Sequence, residues 1–114
     1  MTYYLPQGFR FAGVSAAIKK KPGTKDIALI VSDVPAVAAG VYTQNQVVAA
    51  PVVLCLTRTP LDAARAVVVN SGNANACTGS RGEADARRMC EVLAAELGKI
   101  ASSGQGERVT AEQT

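Results

Sequence analysis

Histidine and tryptophan are absent from this 114-residue sequence, and tyrosine and phenylalanine together bring the aromatic share to only 4%. Without histidine there is no imidazole to act as general base for a cysteine or serine nucleophile, and the commonest zinc ligand is missing. Cysteine is scarce as well. Cys55, Cys77 and Cys90 form an odd set with no C-x-x-C spacing, which argues against a disulfide scaffold or a metal site and for reduced thiols in the cytoplasm. No apolar run is long enough to cross a bilayer: the longest, Val47 to Leu56, is interrupted by Pro51. Met1 to Gly8 lacks the basic and apolar regions of a signal peptide. Neither a cofactor nor a metal is expected, and no membrane partner.

Excess charge is also small. Twelve basic against nine acidic residues leave +3, and Lys19, Lys20, Lys21 and Lys25 surround a single turn. Those four account for the whole excess, so the basicity belongs to one solvated tip rather than to a nucleic-acid-binding face.

What is present is an Ala- and Val-rich chain, 48% apolar, sized for one domain whose core is built from small, closely packed side chains. The first half reads as strands. Gly13 to Ile18 and Ile27 to Val31 flank the Pro22-Gly23 turn, which predicts a hairpin. Ser32-Asp33-Val34-Pro35 predicts a break, with a further strand from Pro35 to Tyr42. Val47-Val48 and Val52 to Leu56 bracket Pro51 and read as two short strands or an edge. Thr59-Pro60-Leu61-Asp62 predicts a cap and one helical turn, and Val67 to Val69 a buried strand. Ala86, Met89, Cys90, Leu93 and Leu97 recur at helical spacing. They predict one long helix from Arg81 to Leu97, opened by a Ser80/Glu83 capping box and stopped at Gly98. The fold class is α/β. Residues 1–98 form the organised segment, and the polar tail at residues 99–114 is expected to be disordered.

One stretch stands out. Between the Val67–Val69 strand and the long helix lie Asn70, Ser71, Gly72, Asn73, Asn75, Cys77, Thr78 and Gly79. Asparagines and glycines at this density suit left-handed backbone and side-chain-to-backbone hydrogen bonds. A strand–loop–helix junction is also where α/β proteins gather free amides. The loop is therefore the candidate functional region, although an ordered connection rich in turn formers fits equally. The spacing is not that of a phosphate-binding P-loop. No carboxylate pair, metal cluster or nucleophile–base set is visible, so no catalytic residue is assigned.

The run Val69-Asn70-Ser71-Gly72-Asn73-Ala74-Asn75-Ala76-Cys77-Thr78-Gly79 closely resembles the N-terminal part of the ornithine acetyltransferase family, the glutamate N-acetyltransferases of arginine biosynthesis. So do Leu5-Pro6-Gln7-Gly8-Phe9-Arg10, Ala28 to Asp33, Ala38 to Asn45 and Ala49-Ala50-Pro51-Val52. The resemblance runs in order from Leu5 to Gly98. It implies an α/β protein that cuts its own chain before a threonine, which then carries an acetyl group from N-acetylornithine to glutamate; some members also use acetyl-CoA. The family's Thr-Gly oxyanion pair, substrate lysine and nucleophilic threonine follow the long helix, where residues 99–114 diverge, so none of those roles transfers to this chain. It is expected to be inactive alone. The competing readings are a non-catalytic interaction module and an anion-binding protein using the Asn70–Gly79 loop.

Counting layers adds one expectation. A single long helix cannot cover several apolar strands on both faces, so the sheet is expected to need a C-terminal subunit or self-association.

Overall fold

The computed structural model describes residues 4–102 and 110–114. Strand β1 (Phe9–Val14) and strand β2 (Ile27–Ala38) form the expected hairpin, paired antiparallel from Phe9↔Ser32 to Val14↔Ile27. The first strand lies earlier than Gly13 to Ile18, because residues 15–26 are taken up by the connection. Helix α1 (Ala50–Arg58) follows, then strand β3 (Leu61–Asn70), antiparallel to β2, and helix α2 (Gly79–Ser102). The sheet order is β1-β2-β3.

Three expectations fail for identifiable reasons. The backbone does not stop at Ser32 to Pro35 but runs through it as one strand; only the ladder breaks. Between the pairs Val31↔Ala66 and Ala36↔Ala64, four residues of β2 face Arg65 alone. Pro35 has no N–H to give a ladder, and the buried Arg65 supplies donors instead, through Nε to the Ser32 carbonyl at 3.2 Å and Nη2 to the Asp33 carbonyl at 3.3 Å. Val52 to Leu56 is helix rather than strand, since Pro51 falls in the first turn of α1, where a missing N–H leaves no intrahelical bond unmade. Thr59 to Asp62 forms no helical turn: Thr59 ends α1, its amide and hydroxyl both donating to the Cys55 carbonyl, and Leu61 already begins β3.

Helix α2 is longer than expected at both ends. It starts at Gly79, so Ser80 and Glu83 lie inside it rather than forming its cap, and it passes Gly98 to reach Ser102. Lys99 to Ser102 are thus helical. Residues 110–114 form a short 3-10 turn (Ala111–Gln113) instead of a disordered end; the rest of the tail, 103–109, lies outside the described residues.

Both helices lie on one side of the sheet. Leu54 of α1 packs with Ala86 and Cys90 of α2, and the small buried series Ala86, Cys90, Ala94 recurs every four residues along one face of α2. The paired residues Val31 and Ala66 point toward this layer and are buried. Their neighbours point the other way. Phe11, Ile30 and Val67 form a row across all three strands, flanked by Phe9 and Val69, and these five are 37% to 51% exposed. Val67 to Val69 is a strand as expected, but Val67 and Val69 lie on its open face. The expectation of uncovered apolar sheet is met, and the α/β class with one long helix holds.

Candidate functional site

The Asn70–Gly79 loop is organised from both ends by groups outside it. At the β3 end, the Ser71 amide donates to the Asp26 carbonyl at 2.8 Å. Asp26 is itself buried, and its carboxylate accepts three backbone amides of the lysine-rich connection: Ala16 at 2.6 Å, Ile18 at 2.7 Å and Lys19 at 3.0 Å. These bonds, that of Ala16 foremost, with the nearby Lys19 charge, hold the Asp26 carboxyl below the ordinary aspartate range. Gly72 (φ +105°) turns its α-carbon toward this connection. A Cβ built there would lie 2.7 Å from Lys19 Cγ and 3.6 Å from Lys19 Cα. The lysine tip and the asparagine loop are therefore one packed unit.

At the helix end, Asn75 is the junction. Its carbonyl accepts the Ala50 amide at the start of α1 (3.1 Å), and its side-chain NH2 donates to the Gly82 carbonyl in α2 (2.6 Å). The Thr78 hydroxyl donates to Asn75 Oδ1. One asparagine thus satisfies a first-turn amide of α1, which has no intrahelical partner, and adds a second bond to a first-turn carbonyl of α2. Asn70 Nδ2 donates to the Asn73 carbonyl at 2.9 Å and closes the first half of the loop. Cys77 adopts a left-handed backbone (φ 56°) and is exposed. A cavity of about 300 Å³ opens beside the loop, lined by Asn70, Asn73, Asn75, Thr78 and Asp85 with Ile18, Ile27 and Met89.

The structure therefore brings most of the candidate residues together, as a hydrogen-bonded junction of β3, α1 and α2. Among the described residues the Thr78 hydroxyl is bonded to the Asn75 amide oxygen and not to a carboxylate. The sequence reading missed Asp26 and Arg65. A lone acid at the end of a lysine-rich turn was a usable signal for the first. No pattern marks the second, because its role depends on the four-residue bulge across the sheet. Among the described residues, no helix is long and apolar enough to cross a membrane.

The sequence profile of the ArgJ family matches residues 10–109. The chain belongs to the ArgJ family. It is 56% identical over 93 residues to the arginine biosynthesis bifunctional protein ArgJ of Rhodopirellula baltica, a match covering 82% of this chain and 22% of that protein. For the protein of the same name from Geobacter sulfurreducens the figures are 60% over 92 residues, 81% and 23%. The fold matches an ornithine acetyltransferase from Mycobacterium tuberculosis, solved in complex with ornithine, with a TM-score of 0.85 and 44% identity. That match covers 95% of this chain and 53% of the other. An ArgJ protein from Bacillus halodurans matches with a TM-score of 0.71 and 34% identity, over 94% and 50% of the two chains. These curated relatives are named for arginine biosynthesis, and the chain spans about a quarter of their length.

Proposed function

We propose that this chain is the N-terminal portion of an acetyltransferase that moves an acetyl group from N-acetylornithine to glutamate, and that it is inactive without the remainder of the catalytic apparatus. The observation that carries the reading is the profile match over residues 10–109 together with the fold shared with an ornithine-bound acetyltransferase. By resemblance, the complete enzyme generates an N-terminal threonine that supplies both the attacking hydroxyl and the amine that serves as its base. Acyl transfer also needs donors aimed at the oxyanion, and the described residues hold no such set beside a nucleophile. What this chain contributes is a scaffold: a sheet with one covered face, and a loop that ties three elements together.

The open row Phe11–Ile30–Val67 supports a partner on the uncovered face, either a polypeptide carrying the family's C-terminal portion or a second copy. Three free cysteines agree with work in a reducing cytoplasm. Purified chain incubated with N-acetylornithine and glutamate is expected to give no N-acetylglutamate above a protein-free control. Adding the complementary portion of the Geobacter sulfurreducens relative should restore turnover. Activity of the chain alone, surviving repurification, would refute the reading.

A second reading, anion binding at the Asn70–Gly79 loop, is favoured by the polar cavity beside it and by Lys19 packed at Gly72. Inorganic phosphate titrated into labelled protein should then shift the amide resonances of Ser71 to Gly79, and unmoved resonances at millimolar phosphate would dismiss it.

A further inference from the structure

The helix layer encloses a second cavity, of about 270 Å³, lined by Leu54, Cys55, Ala66, Ala86, Met89 and Cys90. These are almost wholly apolar surfaces, and water gains little by entering such a space. Gln113 and Thr114 form part of its wall. Residues 110–114 close on themselves. The Thr110 amide donates to Gln113 Oε1 at 3.0 Å, and the Gln113 amide donates back to the Thr110 carbonyl at 3.2 Å. The 3-10 turn packs against both α2 and β3. Arg58, in the last turn of α1, donates from Nη1 to the Thr114 carbonyl at 3.1 Å, and the Cys90 thiol lies 3.9 Å from the same oxygen. The family profile ends at residue 109, so this cover lies outside the matched segment.

We propose that residues 110–114 are a strap that closes the apolar cavity between the helices and the sheet, latched by Arg58 and shielding Cys90. A guanidinium holding a main-chain oxygen of Thr114, the last residue of the sequence, makes a charge-assisted bond that is firm but reversible. The separation of 56 positions between Arg58 and Thr114 makes it a long-range tie rather than a local turn. The Glu112 carboxyl is held below the ordinary glutamate range first by its own backbone amide and by the Thr110 hydroxyl, with the Arg58 charge adding a smaller pull in the same direction.

Cysteine alkylation reads the strap directly. Cys90 is buried beneath it, whereas Cys77 is exposed in the distant loop and serves as an internal reference. Iodoacetamide labelling, followed peptide by peptide, is compared in the unaltered chain, in Arg58→Gln and in a chain lacking residues 110–114. Both variants should label Cys90 faster, Arg58→Gln by about tenfold, the change in open population expected from losing one charge-assisted hydrogen bond. Cys77 should keep its rate. An unchanged Cys90 rate in Arg58→Gln overturns the latch. Equal acceleration of Cys90 and Cys77 also overturns the proposal, because it reports global loosening rather than an opened cover.

Discussion

Asp26 binds Ser71 through its main chain while its side chain gathers Ala16, Ile18 and Lys19, so a single residue fastens the hairpin connection to the start of the asparagine loop. The two loops are separated by the whole of β2, α1 and β3 in sequence. Their common anchor makes the loop's conformation depend on a residue more than forty positions away.

Asp26→Asn should lower the unfolding midpoint by several degrees, because an amide offers one acceptor oxygen, and a donor group, where three N–H groups need acceptors. The effect is pH-dependent. The folded-state pKa of Asp26 lies below its unfolded value of 3.8. Its stabilisation is therefore complete above about pH 5 and disappears as pH falls through 3.8 toward the folded pKa. Thermal unfolding across the acid range should show the unaltered chain converging on Asp26→Asn at low pH. A gap that stays constant with pH would contradict the assignment of the carboxylate.

Two glycines of α2 should respond with opposite signs. A Cβ at Gly82 would collide with the side chains of Thr78 and Asn75, the pair that joins the helix entrances, so Gly82→Ala should destabilise by about 2 kcal/mol. At Gly98 nothing lies within 4 Å of the new atom, and Gly98→Ala should stabilise by about 0.5–1 kcal/mol through helix propensity. Urea unfolding of the two variants side by side is the measurement; matching signs would be the contrary result.

Arg65→Met keeps the length of the side chain but removes its donors from the carbonyls of Ser32 and Asp33. A loss of about 2–3 kcal/mol is expected for buried acceptors left without partners. Arg65→Lys should recover less than half, since a single ammonium cannot reproduce the planar fork. Full recovery by lysine would show that charge, not geometry, supports the bulge.

Val67→Thr tests the open face. Threonine keeps the β-branched shape suited to a strand while making the β3 end of the Phe11–Ile30–Val67 row polar. If that face mediates self-association, sedimentation velocity should show the unaltered chain gaining mass with concentration and Val67→Thr doing so less. A unaltered chain monomeric at every concentration would leave the face to a different partner.

The sequence made some of this legible and hid the rest for physical reasons. The hairpin, the β3 strand and the α2 helix follow from local period and turn chemistry, which neighbouring residues decide. Helix α1 does not, because Pro51 within a Val- and Leu-rich run is compatible with a broken strand or a first helical turn, and packing of Leu54 against Ala86 and Cys90 decides between them. Likewise Gly98 reads as a stop, yet the helix continues, since one glycine weakens a helix without ending it. The candidate loop was found by composition. Its support at Asp26 was not, nor were the roles of Arg58 at the C-terminal turn and Arg65 at the bulge: the three act on backbone groups that are 45, 56 and 33 positions away.

The position of β2 between two antiparallel neighbours sets how the molecule comes apart. From Ile27 to Val31 every residue pairs with both β1 and β3, so successive amides point to alternate sides and each meets a carbonyl. In β1 and β3 every second amide faces away from the ladder. Deuterium should therefore enter from the two margins and reach the five central amides of β2 last. Those amides report global opening, whereas the margins report fraying. The half of the hairpin nearest the lysine tip is thus the slowest clock in the chain.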